Sequence, residues 1–180
     1  YTNMNRAITL QSSPGDSIIG CRILHNSLAG GSYAGAQGIY VWSDNTYIFG
    51  CNIKDTNFSG NWGGDYGIAL EQNVGGTRII ADTVTGFEFS VASPAGNHPN
   101  VRIQYSKIQS GAHESVILHD GDTNWRLYGN TITSFASGGR STVTAYCSQS
   151  GGADGLELLY NTIVAVYGGA PASAAVAFEN

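Results

Sequence analysis

Apolar residues recur along this chain in a fixed frame: one apolar residue, four spacer residues, another apolar residue. The six copies pair Ile18 with Ile23, Ile48 with Ile53, Ile79 with Val84, Ile103 with Ile108, Leu127 with Ile132 and Leu158 with Ile163. Their first residues lie 30, 31, 24, 24 and 31 positions apart. Ahead of each copy comes a short alternating stretch: Ile8-Thr-Leu10, Ile39-Tyr-Val41, Ile68-Ala-Leu70, Phe87-Glu-Phe89, Val116-Ile-Leu118 and Val143-Thr-Ala145. A seventh, Val176-Ala-Phe178, follows the last copy. Period-two alternation rich in β-branched and aromatic residues predicts strands. A self-similar period of roughly 20–50 residues predicts a solenoid, in which each coil stacks on its neighbours. Each coil then holds a first strand, a turn, a second strand entering the frame, a tight bend, a third strand leaving it, and a loop back.

The bend falls on the third residue of the frame, where Gly20, Gly50 and Gly129 stand, since glycine enters left-handed backbone at little cost. The next residue is Cys21, Cys51, Asp82, Ser106, Asn130 or Asn161. These small polar side chains should stack in one column and hydrogen-bond along it and to the turn backbone. Cys21 and Cys51 share that column on successive coils, within disulfide reach, and buried free thiols are the favoured reading. Cys147 stands apart.

Strand, turn, strand, Gly-Asn bend, strand and variable loop resemble the right-handed parallel β-helix of the pectin-lyase-like superfamily, which includes polysaccharide depolymerases and phage tailspikes. The Asn-Thr-Ile triplets at 130–132 and 161–163 resemble its asparagine ladder. The resemblance implies an all-β right-handed parallel β-helix of about six coils; another β-solenoid or a β-sandwich is the alternative. It implies a polysaccharide as partner, a secreted or virion-borne location, and it admits a homotrimer. No capping helix is evident at either end, so residues 1–180 are expected to be one uncapped β-helix segment of a longer chain, or one whose ends a partner caps.

Composition narrows the classes. Charged residues make up 12%, the net charge is −5, and Lys54 and Lys107 are the only lysines. That argues against a nucleic-acid groove or an anionic membrane surface. No apolar run approaches the roughly 20 residues that span a bilayer. The 25 glycines suit turn-rich β structure. Asn57-Phe58-Ser59 is a glycosylation triplet of little weight.

With the first strands' apolar residues inward, their neighbours point outward in two columns. One is Thr9, Tyr40, Ala69, Glu88, Ile117, Thr144 and Ala177; the other is Gln11, Trp42, Glu71, Ser90, His119, Tyr146 and Glu179. In β-helices of this kind sugar chains lie on that face. Long loops at 24–38 and 55–67, beside an almost absent connection between Val84 and Phe87, predict an open groove there. Tyr40, Trp42 and Tyr146 are candidate stacking platforms, with Asp44 and Asp122 binding hydroxyls. Glu71 and Glu88 are the candidate acid–base pair, at roughly 5–9 Å, the span of glycosidase carboxylates. His119 and Asp120 are auxiliary catalytic candidates. Hydrolysis is preferred over lyase chemistry, because no Lys or Arg lies in either column to abstract a proton. A non-catalytic fibre or surface-protein shaft is the competing function.

Asp120-Gly-Asp122-Thr-Asn124 spaces oxygen side chains as a calcium loop begins, but Trp125 replaces the glycine and Thr131 the bidentate Glu. A polar turn is the better reading, and no cofactor is expected. Arg78, Arg102 and Arg126 occupy one slot on three successive coils and should form an outward ladder on the second strands. Partners, an acidic glycan or a subunit contact should meet it.

Overall fold

The computed structural model describes residues 6–25, 37–56, 64–71, 73–93, 97–111, 113–119, 121–135, 141–146, 155–166 and 174–179, without the side chains of His25, Tyr146 and Glu179. Phe58, Trp62, Asp120, Cys147 and the glycosylation triplet lie outside the described residues. The chain forms six three-strand coils and one further strand. Coil one holds β1 (Arg6–Gln11), β2 (Ser17–Ile19) and β3 (Arg22–His25); coil two holds β4 (Gln37–Trp42), β5 (Tyr47–Phe49) and β6 (Asn52–Asp55). Coil three holds β7 (Tyr66–Leu70), β8 (Arg78–Ile80) and β9 (Thr83–Phe87); coil four holds β10 (Phe89–Ala92), β11 (Arg102–Gln104) and β12 (Lys107–Ser110). Coil five holds β13 (Val116–Leu118), β14 (Arg126–Tyr128) and β15 (Thr131–Ser134). Coil six holds β16 (Val143–Tyr146), β17 (Glu157–Leu159) and β18 (Thr162–Ala165), and β19 (Val176–Glu179) follows.

Equivalent strands of successive coils pair in parallel, giving one seven-stranded and two six-stranded sheets. This is a parallel β-helix. The frame residues stack in register: Ile18, Ile48, Ile79, Ile103, Leu127 and Leu158 in the second sheet. Ile23, Ile53, Val84, Ile108, Ile132 and Ile163 do so in the third. Together with the first strands they form the apolar core.

All six coils turn through left-handed backbone at the bend. Gly20, Gly50 and Gly129 do so as expected, and Ala81, Tyr105 and Tyr160 join them at φ 57°, 53° and 56°. Stacking thus holds non-glycine residues in a conformation costing each about 1 kcal/mol or more. The polar column forms beside the bend. Each side chain accepts the backbone N–H of the preceding coil: Cys51 N to Asp82 Oδ1 at 2.6 Å, Asp82 N to Ser106 Oγ at 3.1 Å, Ser106 N to Asn130 Oδ1 and Asn130 N to Asn161 Oδ1 at 2.9 Å. Cys21 and Cys51 are free thiols in this column, and burial pushes the Cys51 thiol pKa up.

The expected register fails in coil four. Val91, not Phe87, pairs with Ile68 and Val116 in the inward column, and Ala92, not Glu88, follows Ala69 outward. Phe87 ends β9 after a bulge, since Gln109 pairs with Thr85 but Ser110 with Phe87. Gly86 permits that bulge: its φ is +84°, and an added Cβ would lie 2.3 Å from the Asp55 carbonyl oxygen. The Phe87 ring is fully buried in the corner beside Gly38 and Gly67.

Candidate functional site

The outer face of the first sheet is closed over most of its length. Tyr40, Ala69, Ala92, Ile117 and Thr144 form its middle outward column, and none is more than 5% exposed. The open groove expected there is therefore not found in this column. Trp42 is exposed, and it meets Tyr40 edge-on at 6.4 Å. Tyr40 lies under the Arg6 guanidinium, 3.5 Å from its ring centre. Burial, then its hydrogen bond to Glu71, pushes the Tyr40 pKa up to about 12. Asp44 is exposed at the following turn, where Gly75 N–H holds its Oδ1 at 2.7 Å. Tyr146 lies in β16, paired with Glu179.

Glu71 and Glu88 do not form a surface pair. Glu71 is half-buried against Tyr40, whereas Glu88 lies in the link between β9 and β10, 2% exposed. Gly64 N–H and Asp65 N–H donate to Glu88 Oε2 at 2.7 and 3.3 Å, and His113 Nε2 faces Oε1 at 3.3 Å. His113 also faces Glu114 at 3.6 Å and packs on Phe89. The cause is the register shift in coil four, which carries Glu88 out of the outward column.

Asp122 is likewise not a surface residue. It is fully buried and accepts from the Ser93 hydroxyl, His119 N–H, His98 N–H and His98 Nδ1, the last three at 2.9, 3.0 and 2.6 Å. Its carboxylate is the hub of a hydrogen-bonded cluster, while Asn124 stands exposed at the next turn, so the two do not converge as calcium ligands. His119 is half-buried and joins this cluster through its backbone.

His98, which the sequence analysis did not single out, completes the cluster. Its Nε2 lies 2.6 Å from the Glu71 carbonyl oxygen, and its own carbonyl accepts from the Trp125 indole at 2.8 Å. A Ser, a His and an Asp meet here, but not as a nucleophile with its base. Asp122 sits between the other two, and the far imidazole nitrogen is held by a backbone carbonyl. One signal could have found it. His98 and Asp122 each stand five residues before a frame residue, Ile103 and Leu127, so the repeat alone places them on adjacent coils.

The outer face of the second sheet is open and ordered into columns. The first runs Ser17, Tyr47, Arg78, Arg102, Arg126, Glu157, so the arginine ladder forms as expected. Beside it run Ile19, Phe49, Ile80, Gln104, Tyr128 and Leu159, with Ile19 60% exposed. At the bend Tyr105 and Tyr160 are exposed and each meets Tyr128 edge-on, at 5.3 and 5.5 Å. A hydrogen bond to Tyr105 pushes the Tyr128 pKa up. On the other side of the arginines, Gly15, Asn45, Gly76, Asn100, Asn124 and Gly155 all take left-handed backbone at the first turn. Gly76 has φ +70°, and an added Cβ there would lie 2.4 Å from Asn45 Oδ1, so the Asn45 side chain would have to turn aside.

Between that turn column and the arginines runs a trough of three adjoining depressions. The first, about 490 Å³, is lined by Asn45, Tyr47, Arg78 and Ile80 among others. The second, about 310 Å³, is lined by Asp44, Asn45, Gly76, Arg78, Asn100 and Arg102, and the third, about 230 Å³, by Arg102, Asn124, Arg126 and Glu157. Arg126 Nε and Glu157 Oε2 are 2.5 Å apart, which pushes the Glu157 pKa down. Among the described residues no carboxylate pairs with Arg78 or Arg102. No group of His, Cys, Asp and Glu among the described residues has the arrangement of a metal site. Among the described residues there is no helix long and apolar enough to cross a membrane. No family model, no curated protein and no solved structure matches the chain.

Proposed function

We propose that this chain is a carbohydrate-binding β-helix that carries its ligand on the outer face of the second sheet. The observation that supports it is the juxtaposition of Tyr105, Tyr128 and Tyr160 with the arginine-lined trough on an open face. Aromatic faces pack on pyranose C–H groups, and guanidinium and amide groups bind hydroxyl and acidic substituents. The likeness of the coil to pectin-lyase-like β-helices points the same way and to an extracellular or virion-borne polysaccharide-binding protein. Binding is the reading, without a cleavage step, because Glu88 is buried with its carboxylate held by the Gly64 N–H, away from the surface where an acid–base pair would meet a glycan. Affinity electrophoresis through gels containing a panel of polysaccharides tests it. At least one should retard the chain, Tyr128→Ala with Tyr160→Ala should abolish the retardation, and Trp42→Ala should leave it. Loss of retardation by Trp42→Ala alone would move the site to the first sheet, and a chain retarded by no polysaccharide would refute the reading.

A non-catalytic shaft, trimeric or adhesive, is a second reading. It is favoured by the apolar members of the same face, Ile19, Phe49 and Leu159, each at least 39% exposed. A sedimentation measurement that gives trimers dispersed by Phe49→Glu would favour it over glycan binding.

A further inference from the structure

We propose that Arg78 and Arg102 form a seat for the carboxylate or sulfate groups of a linear acidic glycan lying along the trough. This rests on the glycan-binding reading and adds to it the charge class of the ligand and the coils that hold the charge. The two arginines pair in register on adjacent strands, about 4.8 Å apart at the backbone. Like charges directly opposite each other across a ladder destabilise it, and an anion between them reverses the sign of that interaction.

The three arginines are not equivalent. Arg126 holds Glu157 at 2.5 Å, and the Glu157 carboxylate also feels Arg102. Arg78 and Arg102 pair with no carboxylate among the described residues, and the depression between them is the one of about 310 Å³. Asn45 and Asn100 line that depression and add amide donors to the two guanidinium forks. Asp44 shares the wall, but Gly75 N–H holds its Oδ1 at 2.7 Å. The adjoining depressions share Arg78 on one side and Arg102 on the other, so the trough crosses several coils. A polymer running parallel to the coil axis fits that shape better than a small anion does. A chain of net charge −5 would repel such a polymer at long range, which makes the local positive column the feature that decides binding.

The test measures binding of alginate (a polyuronate), dextran sulfate and neutral dextran to the chain by affinity electrophoresis at low and high NaCl. At least one polyanion should bind more tightly than dextran, and the binding should weaken with salt. Alginate alone would identify carboxylate as the group seated, and dextran sulfate alone would identify sulfate. The double variant Arg78→Gln/Arg102→Gln should weaken that binding by roughly tenfold or more, as expected for lost charge-assisted hydrogen bonds. Lys54→Gln/Lys107→Gln removes the same charge from the third sheet and should change it by no more than about twofold, as for distant surface charge. Arg102→Lys, which keeps charge but loses the fork, should fall between wild type and the arginine double variant. The arginine double variant should unfold at or slightly above the wild-type Tm, since it relieves the like-charge pair across the ladder. If the arginine and lysine doubles behave alike, or if dextran binds as well as both polyanions, the seat is refuted. If the tyrosine substitutions abolish binding while the arginine double does not, glycan binding stands and only the seat falls.

Discussion

Asp82→Asn should stabilise this protein at neutral pH, and the gain should vanish in acid. Asp82 occupies the polar column between Cys51 and Ser106. The two asparagines in that column make a complete set of bonds. Asn130 and Asn161 accept an N–H from the coil before and donate Nδ2 to the carbonyls of Ile103 and Leu127, each at 2.8 Å. Asp82 is 1% exposed and accepts Cys51 N–H at 2.6 Å, but its Oδ2 has no partner. By the column's repeat that oxygen takes the place of an asparagine Nδ2, where a carboxylate has nothing to donate. Burial pushes its pKa up from 3.8 to about 6. The folded chain therefore holds this proton to a higher pH than the unfolded chain. The Asp82 contribution to stability is fully present below about pH 4, is lost as pH rises through the window from about 4 to about 6, and levels above it. A rise of about two pH units corresponds to about 3 kcal/mol lost at pH 7. Urea unfolding of wild type and Asp82→Asn, followed by circular dichroism from pH 4 to pH 8, reads the difference directly, because all other titrations cancel. The variant should match wild type near pH 4 and exceed it by about 2–3 kcal/mol at pH 7. A difference that does not change with pH, or a variant less stable at pH 7, would refute the reasoning.

Three further outcomes are expected. Ile79→Ala, fully buried between Ile48 and Ile103, should cost about 2–5 kcal/mol in the same urea assay. Glu88→Gln should lower stability by about 1–3 kcal/mol, since it weakens the acceptor for two backbone N–H groups and for His113; an unchanged Tm would place Glu88 at the surface after all. His98→Ala should cost about 3 kcal/mol by removing the imidazole that bridges the buried Asp122 carboxylate and the Glu71 carbonyl, read as a lowered urea midpoint.

The sequence by itself determined everything that repeats. The apolar frame named the second and third sheets residue by residue, because in-register parallel stacking puts equal positions of successive coils on top of one another. The polar column and the arginine ladder follow from the same rule. The bend was legible from three glycines, yet Ala81, Tyr105 and Tyr160 adopt the same backbone only because neighbours above and below hold them there. What tertiary structure alone decided is where the repeat is broken. Phe87-Glu-Phe89 and Phe89-Ser-Val91 alternate equally well, so a local pattern cannot choose between them. The choice was made by the bulge at Gly86 and by the corner beside Gly38 and Gly67 that the Phe87 ring fills. That single choice moved Glu88 from an outer face into a buried cluster. The covering of the first-sheet face was equally hidden, since an outward position in a strand becomes a solvent-facing one only if no other part of the chain lies over it. Alternation fixes direction, whereas exposure depends on the whole fold.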